Sequence, residues 1–419
     1  MGIFALTYLL FKSKKISLIA SLIYAISPFT VFFDSMALVD SMLSMFGIWT
    51  LIFAILALLY LRYDFAILAG FTLGGALLTK SPGIYFIALI ISVWILSKWP
   101  KDKKKIVVYL FKLISLTVVT LIISFAMYNI LRLGPNFQMI AIRNKDYVYP
   151  ISHLLERPFD PLIPFLNKAF EWFWILGPSV FVILIVLGAI ISFKNYKKEV
   201  ILLLIWALAP LIISAEFAKV FTARYIMFLL PYFAILAALV FLQSRFQKII
   251  IFIFVFFIIH ALWLNYKIST DIQNAPLPTS ERTGYLEEWT AGTGIREVSD
   301  YLKSEWRSNP KQKIVVGTEG YFGTLPDGLQ MYLANYPEIT VIGVGLDIQE
   351  LPKSLKESKE AGNKTFLVIN STRLKGDPQK LGLTLIAAYP KAFRTLGTRD
   401  YSLYGPRETL YFFEVTKSK

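Results

Sequence analysis

Apolar residues in this chain come in long runs separated by short charged connections, a pattern with the length of membrane helices rather than the alternation of half-buried strands. Met1–Phe11 comes first and ends at Lys12, Lys14 and Lys15. Ile16–Phe33 follows with Pro28 near its end, then Met42–Leu61 closed by Arg62, and Phe65–Leu78 leading to Lys80. Pro82 opens a run to Leu96, and Ile106–Leu131 is next. A polar stretch, residues 132–168, precedes Phe170–Phe193, Val200–Phe217, Tyr225–Leu242 and Ile249–Leu264. At roughly 20 apolar residues per crossing, this predicts about ten spans, the first of them short.

From about Lys267 the pattern changes. Pro276 and Pro278 mark a linker. Ile295, Val298, Tyr301 and Leu302 have helical spacing, and Leu325–Ala334 and Pro352–Ala361 predict further helices. Ile314–Val316, Ile339–Val344, Phe366–Ile369, Leu383–Ala387 and Leu410–Val415 predict strands. Strand and helix alternate, so the expectation is a mainly α protein: a multi-span transmembrane helical bundle over 1–266, followed by an α/β domain over 267–419.

Composition agrees with the spans: of 419 residues 56% are hydrophobic and 17% charged, with a mean hydropathy of +0.58. The formal charge of +15 would point to nucleic acid in a soluble protein. Here the cations cluster between apolar runs, so they orient the chain in a membrane and no nucleic-acid partner is expected. With the first basic turn inside, every second connection is inside and basic: Lys12–Lys15, Arg62, Lys98–Lys105, Lys194–Lys198, and Arg245 with Lys248. The remaining connections carry Asp34 and Asp40, Lys80, the 132–168 loop, Glu216 and Arg224, all on the outer face with the C-terminal domain. The absence of cysteine removes disulfides and thiol chemistry. The first apolar run has no basic residues before it and no cleavage pattern, so it is not a signal peptide. It reads as though it begins partway through a helix.

Asp34 and Asp40 lie six positions apart between two apolar runs, where lipid does not tolerate unpaired carboxylates. Each is also what a solvated helix end looks like. Lys80, in Thr79-Lys80-Ser81-Pro82-Gly83, has no charged neighbour; a lysine snorkelling to the headgroups is an equal reading. Arg224-Tyr225 is equally an interfacial anchor pair. Together with His153 and Asp160, these residues put carboxylates and cations on one membrane face. That suits a lipid-linked phosphate substrate: cations stabilise departing phosphate and a carboxylate takes a proton from an attacking hydroxyl. His260 reads as a packed helix residue, and Trp172, Phe173 and Trp174 as an interfacial belt. Gly343-Val344-Gly345 lacks the third glycine of a dinucleotide fingerprint and reads as a turn. Asn363-Lys364-Thr365 and Asn370-Ser371-Thr372 match glycosylation acceptors by chance-level triplets.

Three segments resemble a known family. Gly74-Gly75-Ala76-Leu77-Leu78-Thr79-Lys80-Ser81-Pro82 resembles the "LTK-x-P" segment of the polyprenyl-phosphate-sugar glycosyltransferases of the GT-C class, the group of the protein O-mannosyltransferases and lipid A aminoarabinose transferases. Ala25-Ile26-Ser27-Pro28-Phe29 and Ala37-Leu38-Val39-Asp40 resemble its "LSP…AL-x-D" segment. Phe221-Thr222-Ala223-Arg224-Tyr225, running into Leu230-Pro231, resembles its late "RY…LP" helix start. The resemblance covers roughly Gly2–Phe241. It implies a GT-C bundle in the cell membrane that moves a sugar from a polyprenyl-phosphate donor to a protein, lipid or glycan acceptor outside the cytoplasm. It places Asp40 in the acidic catalytic site and Lys80 and Arg224 on the lipid phosphate; Tyr225 and Asp34 are further candidate substrate-binding residues. His153 and Asp160 fall in the loop that holds donor or metal contacts in the family, so a divalent metal stays open; no other cofactor is implied. The family's catalytic aspartate sits in a first outer loop that would precede Gly2, so a missing N-terminal segment is expected. Two other readings remain open: an inactive membrane anchor or sensor with an outer ligand-binding domain, and a lipid or solute transporter.

Overall fold

The computed structural model describes residues 1–242 and 247–416; Arg245, from the expected basic turn, lies outside the described residues. The chain divides into two compact units, Met1–Pro278 and Thr279–Lys419. The first is helical. Its elements are α1 (Gly2–Phe11), α2 (Lys14–Ile26), α3 (Pro28–Asp34), α4 (Asp40–Tyr60), α5 (Tyr63–Thr79), α6 (Ser81–Leu96), α7 (Lys103–Leu133), α8 (Phe137–Tyr147), α9 (Ser152–Glu156), α10 (Leu162–Ile175), α11 (Ser179–Phe193), α12 (Lys197–Phe217), α13 (Ala223–Leu242) and α14 (Gln247–Thr270). The helix α14 continues past the expected domain boundary at 266, and the division between units falls at Pro278.

All ten apolar runs become helical, but not ten full spans. Among the described residues, α4, α7, α12, α13 and α14 make 5 helices long and apolar enough to cross a membrane, or up to 7 if each bent pair is one span. α1, α5 and α6 are apolar but shorter. The bent pairs have identifiable causes. Ser27 is extended ahead of Pro28, and α2 meets α3 at 56°. Gly177 and Pro178 separate α10 from α11, which meet at 104°. Proline cannot donate to the preceding turn and clashes with it, so a helix breaks there. The run Phe170–Phe193, expected as one span, is therefore two helices at nearly a right angle.

Within this unit α13 is central and buried along most of its length, while α7 and α14 keep broad apolar faces exposed. The close approach of α11 to α13 depends on Gly188: a Cβ there would lie 1.9 Å from the Leu236 carbonyl oxygen. Small residues allow such backbone contact between membrane helices. The buried indole of Trp206 donates to Ser92 Oγ at 3.0 Å, satisfying its one polar atom. The expected aromatic belt at 172–174 is mostly core. Trp172 and Phe173 are buried and only Trp174 is exposed, because α10 turns its 172–173 side toward the bundle.

The second unit opens with a short helix α15 (Thr279–Arg282), followed by α16 (Ile295–Ser308), β1 (Ile314–Glu319), α17 (Asp327–Leu333), β2 (Ile339–Gly345), α18 (Lys353–Glu360), β3 (Lys364–Asn370), β4 (Leu383–Phe393), α19 (Arg399–Tyr404) and β5 (Arg407–Val415). The strands form a sheet in the order β2-β1-β3-β5-β4. β1 is parallel to β2 and β3, and β5 is antiparallel to β3 and β4. Each predicted strand is present and several extend further at one end. Side chains alternate between two cores. Val316, Phe366, Val368 and Phe412 pack with Val298, Leu302 and Leu329 on one face. Val315, Leu367, Ile369 and Phe413 pack with Leu355 on the other. Burial on both faces is what a parallel strand pair flanked by helices requires. Gly343–Gly345, expected as a turn, is the end of β2. A Cβ on Gly343 would meet the Gly320 carbonyl oxygen at 2.2 Å, so the glycine serves a backbone crossing.

One buried ionic cluster ties residues 287–291 to β4 and β5. The Arg394 guanidinium, with no exposed side-chain surface, donates to Glu288 and, at 2.7 Å, to the fully buried Glu408. It also donates to the Tyr404 and Gly405 carbonyls. Lys391 Nζ donates to the Glu288 and Ala291 carbonyls at 3.0 and 2.9 Å. Burial pushes this ammonium down to about 8, against the pull of Glu408, Glu319 and Glu288. Removing one partner of such a cluster strands the others. Arg394→Met is expected to destabilise the second unit by about 3–5 kcal/mol, measured as urea-dependent protection of residues 279–416 from pulse proteolysis in the full chain. Unchanged protection would show that the cluster contributes nothing to stability.

Candidate functional site

Asp40 is the first residue of α4 and is 2% exposed. A carboxylate in the first turn of a 21-residue helix lies at the positive end of the helix dipole. Lys80 follows the last residue of α5 with extended backbone, φ −162° and ψ 149°. There the helix ends, and the unpaired carbonyls of its last turn favour a cation. The turn that follows is held tight by Gly83, whose amide donates to the Lys80 carbonyl at 2.9 Å. A Cβ on Gly83 would lie 2.6 Å from the Ala76 carbonyl oxygen. These local rules bring two charges separated by forty positions to one point: Lys80 Nζ lies 2.6 Å from Asp40 Oδ1. The same ammonium sits 4.4 Å from the centre of the Tyr225 ring. The Arg224 guanidinium lies 5.3 Å from that ring and makes no ion pair among the described residues. The three sequence segments that suggested the site therefore converge in space.

Beside Lys80 opens a cavity of about 510 Å³, within the range of small-ligand sites. Ser81, Pro82, Tyr85 and Tyr225 line it, with Ser214 and Phe217 from the end of α12 and Val220 and Phe221 from the α12–α13 connection. Met139, Ile140, Arg143 and Tyr147 of α8 line it as well, and the lining is mostly apolar with Lys80 and Arg143 as its cations. Three contacts anchor α8 there. Ser81 Oγ donates to Asn144 Oδ1 at 3.2 Å. Lys219 Nζ donates to the Lys145 carbonyl at 2.6 Å. Val148 and Ala218 form an antiparallel bridge. No hydrophobic period marks α8 in the sequence, so its place on the cavity was not legible there.

The other expected site residues lie elsewhere. Asp34 accepts a hydrogen bond from Ser41 and lines a separate cavity of about 410 Å³ with Tyr24, Ser44 and Trp49. His153 stacks on Tyr149, ring centres 4.0 Å apart, and its Nε2 lies 2.6 Å from the Asp160 carbonyl oxygen. The Asp160 carboxylate is 4.0 Å from Arg157. His153 lies half-buried in α9 and Asp160 in the exposed turn after it, and no contact joins them to Asp40 or Lys80 among the described residues. Glu216, expected in a short connection, is in the last turn of α12, 5% exposed, with neither carboxylate oxygen hydrogen-bonded among the described residues. His260 lies between the Phe256 and Trp263 rings. No group of three or more His, Asp or Glu arranged to hold a metal ion occurs among the described residues. Asn370 is fully buried and donates to Glu319, so it is closed to glycosylation in the folded unit.

The first unit is thus a helical bundle, with helices long and apolar enough to cross a membrane, in which the lysine of a charge pair and Tyr225 line an apolar cavity. The family described as dolichyl-phosphate-mannose-protein mannosyltransferase matches residues 1–125. This bears out the likeness to membrane glycosyltransferases of the GT-C type, which use lipid-linked sugars. The match includes Asp40 and Lys80 and ends before Arg224 and Tyr225. No curated protein matches the chain.

The ion pair predicts a specific non-additivity. Lys80→Met leaves Asp40 desolvated and is expected to cost about 3 kcal/mol, while Asp40→Asn combined with Lys80→Met recovers most of it. Thermal unfolding in detergent, run as a double-mutant cycle, reads this directly. Additive losses would show that the two charges do not interact.

Proposed function

We propose that this protein is a membrane glycosyltransferase that moves a sugar from a polyprenyl-phosphate carrier to a protein, lipid or glycan acceptor on the outer face of the cell membrane. The observation that carries this reading is that Lys80, paired with Asp40, lines the 510 Å³ apolar cavity together with Tyr225, whose ring also lies near Arg224. An isoprenoid chain suits the cavity walls, and a phosphate beside Lys80 meets a lining cation, with Arg224 next to Tyr225 as the second. The alternation of basic and acidic connections supports the outward placement of this mouth and of the C-terminal unit.

In the proposed reaction the acceptor oxygen or nitrogen attacks the anomeric carbon of the sugar. The bond from that carbon to the phosphate oxygen breaks, and its electron pair leaves with the lipid phosphate. Lys80 and Arg224 stabilise the charge that develops there. The acceptor's proton passes to a carboxylate, and Asp40 is the carboxylate the site offers. One displacement inverts the anomeric centre, by analogy with single-displacement glycosidases. Lysine has three N–H donors, so Lys80 can hold phosphate while keeping its bond to Asp40. His153, Asp160 and Asp34 are placed by this reading as peripheral contacts to donor or acceptor rather than at the reacting atoms.

The test uses the full chain in proteoliposomes with polyprenyl-phosphate sugars, mannose first. With peptide, lipid and glycan acceptors added in turn, label is expected to leave the polyprenyl phosphate for one of them, resolved by chromatography. Lys80→Ala and Arg224→Ala should each lower transfer by about a hundredfold or more, the scale of losing one donor to a developing oxyanion. Asp40→Asn keeps a hydrogen-bonding partner for Lys80 but cannot take the proton. It should abolish turnover while lipid-phosphate binding survives. Full transfer by Lys80→Ala or Asp40→Asn would sink the assignment.

A further inference from the structure

We propose that α10 lies in the plane of the membrane at the depth of the lipid headgroups, with an apolar stripe in contact with lipid. The basis is membrane placement of the first unit, and glycosyl transfer is not assumed. The α10 helix meets α11 at 104°. The pair counts as a membrane span only when taken together; with the 15-residue α11 as its crossing arm, α10 runs close to the bilayer plane. Around α10, residues separate into three faces. Ala169, Trp172, Phe173 and the following Leu176 are buried against the bundle. Ile163, Phe170 and Trp174, at helical spacing, are 51%, 56% and 45% exposed. Between these faces lie Lys168 and Glu171. A helix with one apolar face, one polar face and a tryptophan is built for the boundary between headgroups and acyl chains.

Two observations favour lipid as the occupant of the stripe. The stripe continues past the bend: Ile183, Val186 and Ile190 are exposed at helical spacing along α11, which is the lipid-facing side of a membrane helix. Depth also agrees. On α7 the last interior cation is Lys112, and the next is Arg132. The residues between them, about 28 Å at 1.5 Å each, match the hydrocarbon thickness. Arg132 and the loop leading to α10 therefore start at the headgroup level. The opposite face of α10 braces the cavity: Phe165 and Trp172 each pack on Phe221 with ring centres 5.0 Å apart, and Phe221 lines the cavity. The in-plane helix thus fixes one cavity wall at the depth where a lipid phosphate resides.

The natural chain has no cysteine, so single labels need no background removal. Phe170→Cys and Ile163→Cys carry bimane in vesicles of phosphatidylcholine and phosphatidylglycerol doped with nitroxide lipids. The expected result is blue-shifted emission, quenched more strongly by a nitroxide near the headgroup than by one at the acyl terminus. Lys168→Cys should give red-shifted emission quenched by aqueous iodide. An aqueous signal at both apolar positions overturns the proposal. So does blue-shifted emission that no lipid nitroxide quenches, which would mean protein covers the stripe. Stronger quenching by the acyl-terminal nitroxide overturns it as well, because α10 would then cross the bilayer core. None of these readouts depends on transfer activity, so failure here and failure of the proposed function are separable.

Discussion

The contact between Lys80 and Asp40 sets the geometry of the first unit's candidate site. It joins the end of α5 to the start of α4, and each helix end favours the charge it holds. The dipoles of both helices thus work with the pair, which offsets part of the desolvation that makes buried ions costly. The pair also explains why a lone lysine and a lone aspartate, each unremarkable in a polar loop, stand beside long apolar runs. Neither is tolerable there without the other. Tyr225 completes the arrangement by lying under the ammonium, which ties the start of α13 to the same point.

Much of this was legible in the sequence, for physical reasons that are local. The ten apolar runs became helices because length and hydropathy decide helix formation wherever lipid surrounds the chain. The strands of the second unit were legible because Val, Ile and Phe cluster between Gly and Pro signals. Asp40, Lys80, Arg224 and Tyr225 stood out as charges and an aromatic at run ends. What was not legible depends on angle and on contact. The bend at Gly177–Pro178 looks in sequence like a continuous apolar run, and only its geometry separates a spanning helix from a transverse one. The burial of Trp172 and Glu216 follows from which face each helix turns inward. The role of α8 follows from three anchors in other segments, at Ser81, Ala218 and Lys219.

The two units handle buried charge differently. In the second, Arg394 satisfies two glutamates and two carbonyls at once and leaves none of its own donors over. In the first, Lys80 uses one donor on Asp40, and Arg224 has no ionic partner among the described residues. Fully satisfied networks rigidify a fold, whereas unused donors at a cavity mouth are what a ligand engages.

That difference divides the work proposed for Lys80, which lines the cavity, and Arg224, which lies beside Tyr225. Asp40 and Lys80 together are neutral, so they add little net attraction for an anion approaching from solvent. Their contribution is position, because a lysine held at 2.6 Å by a buried carboxylate points its remaining N–H groups in fixed directions. Arg224 carries the net positive charge of the cluster, and its planar fork suits phosphate oxygens taken two at a time. The Tyr225 ring lies near both cations. A phosphate between them would see one cation fixed by an ion pair and one free to adjust. That combination allows a charged headgroup to enter from a lipid surface and still be held in one orientation once there.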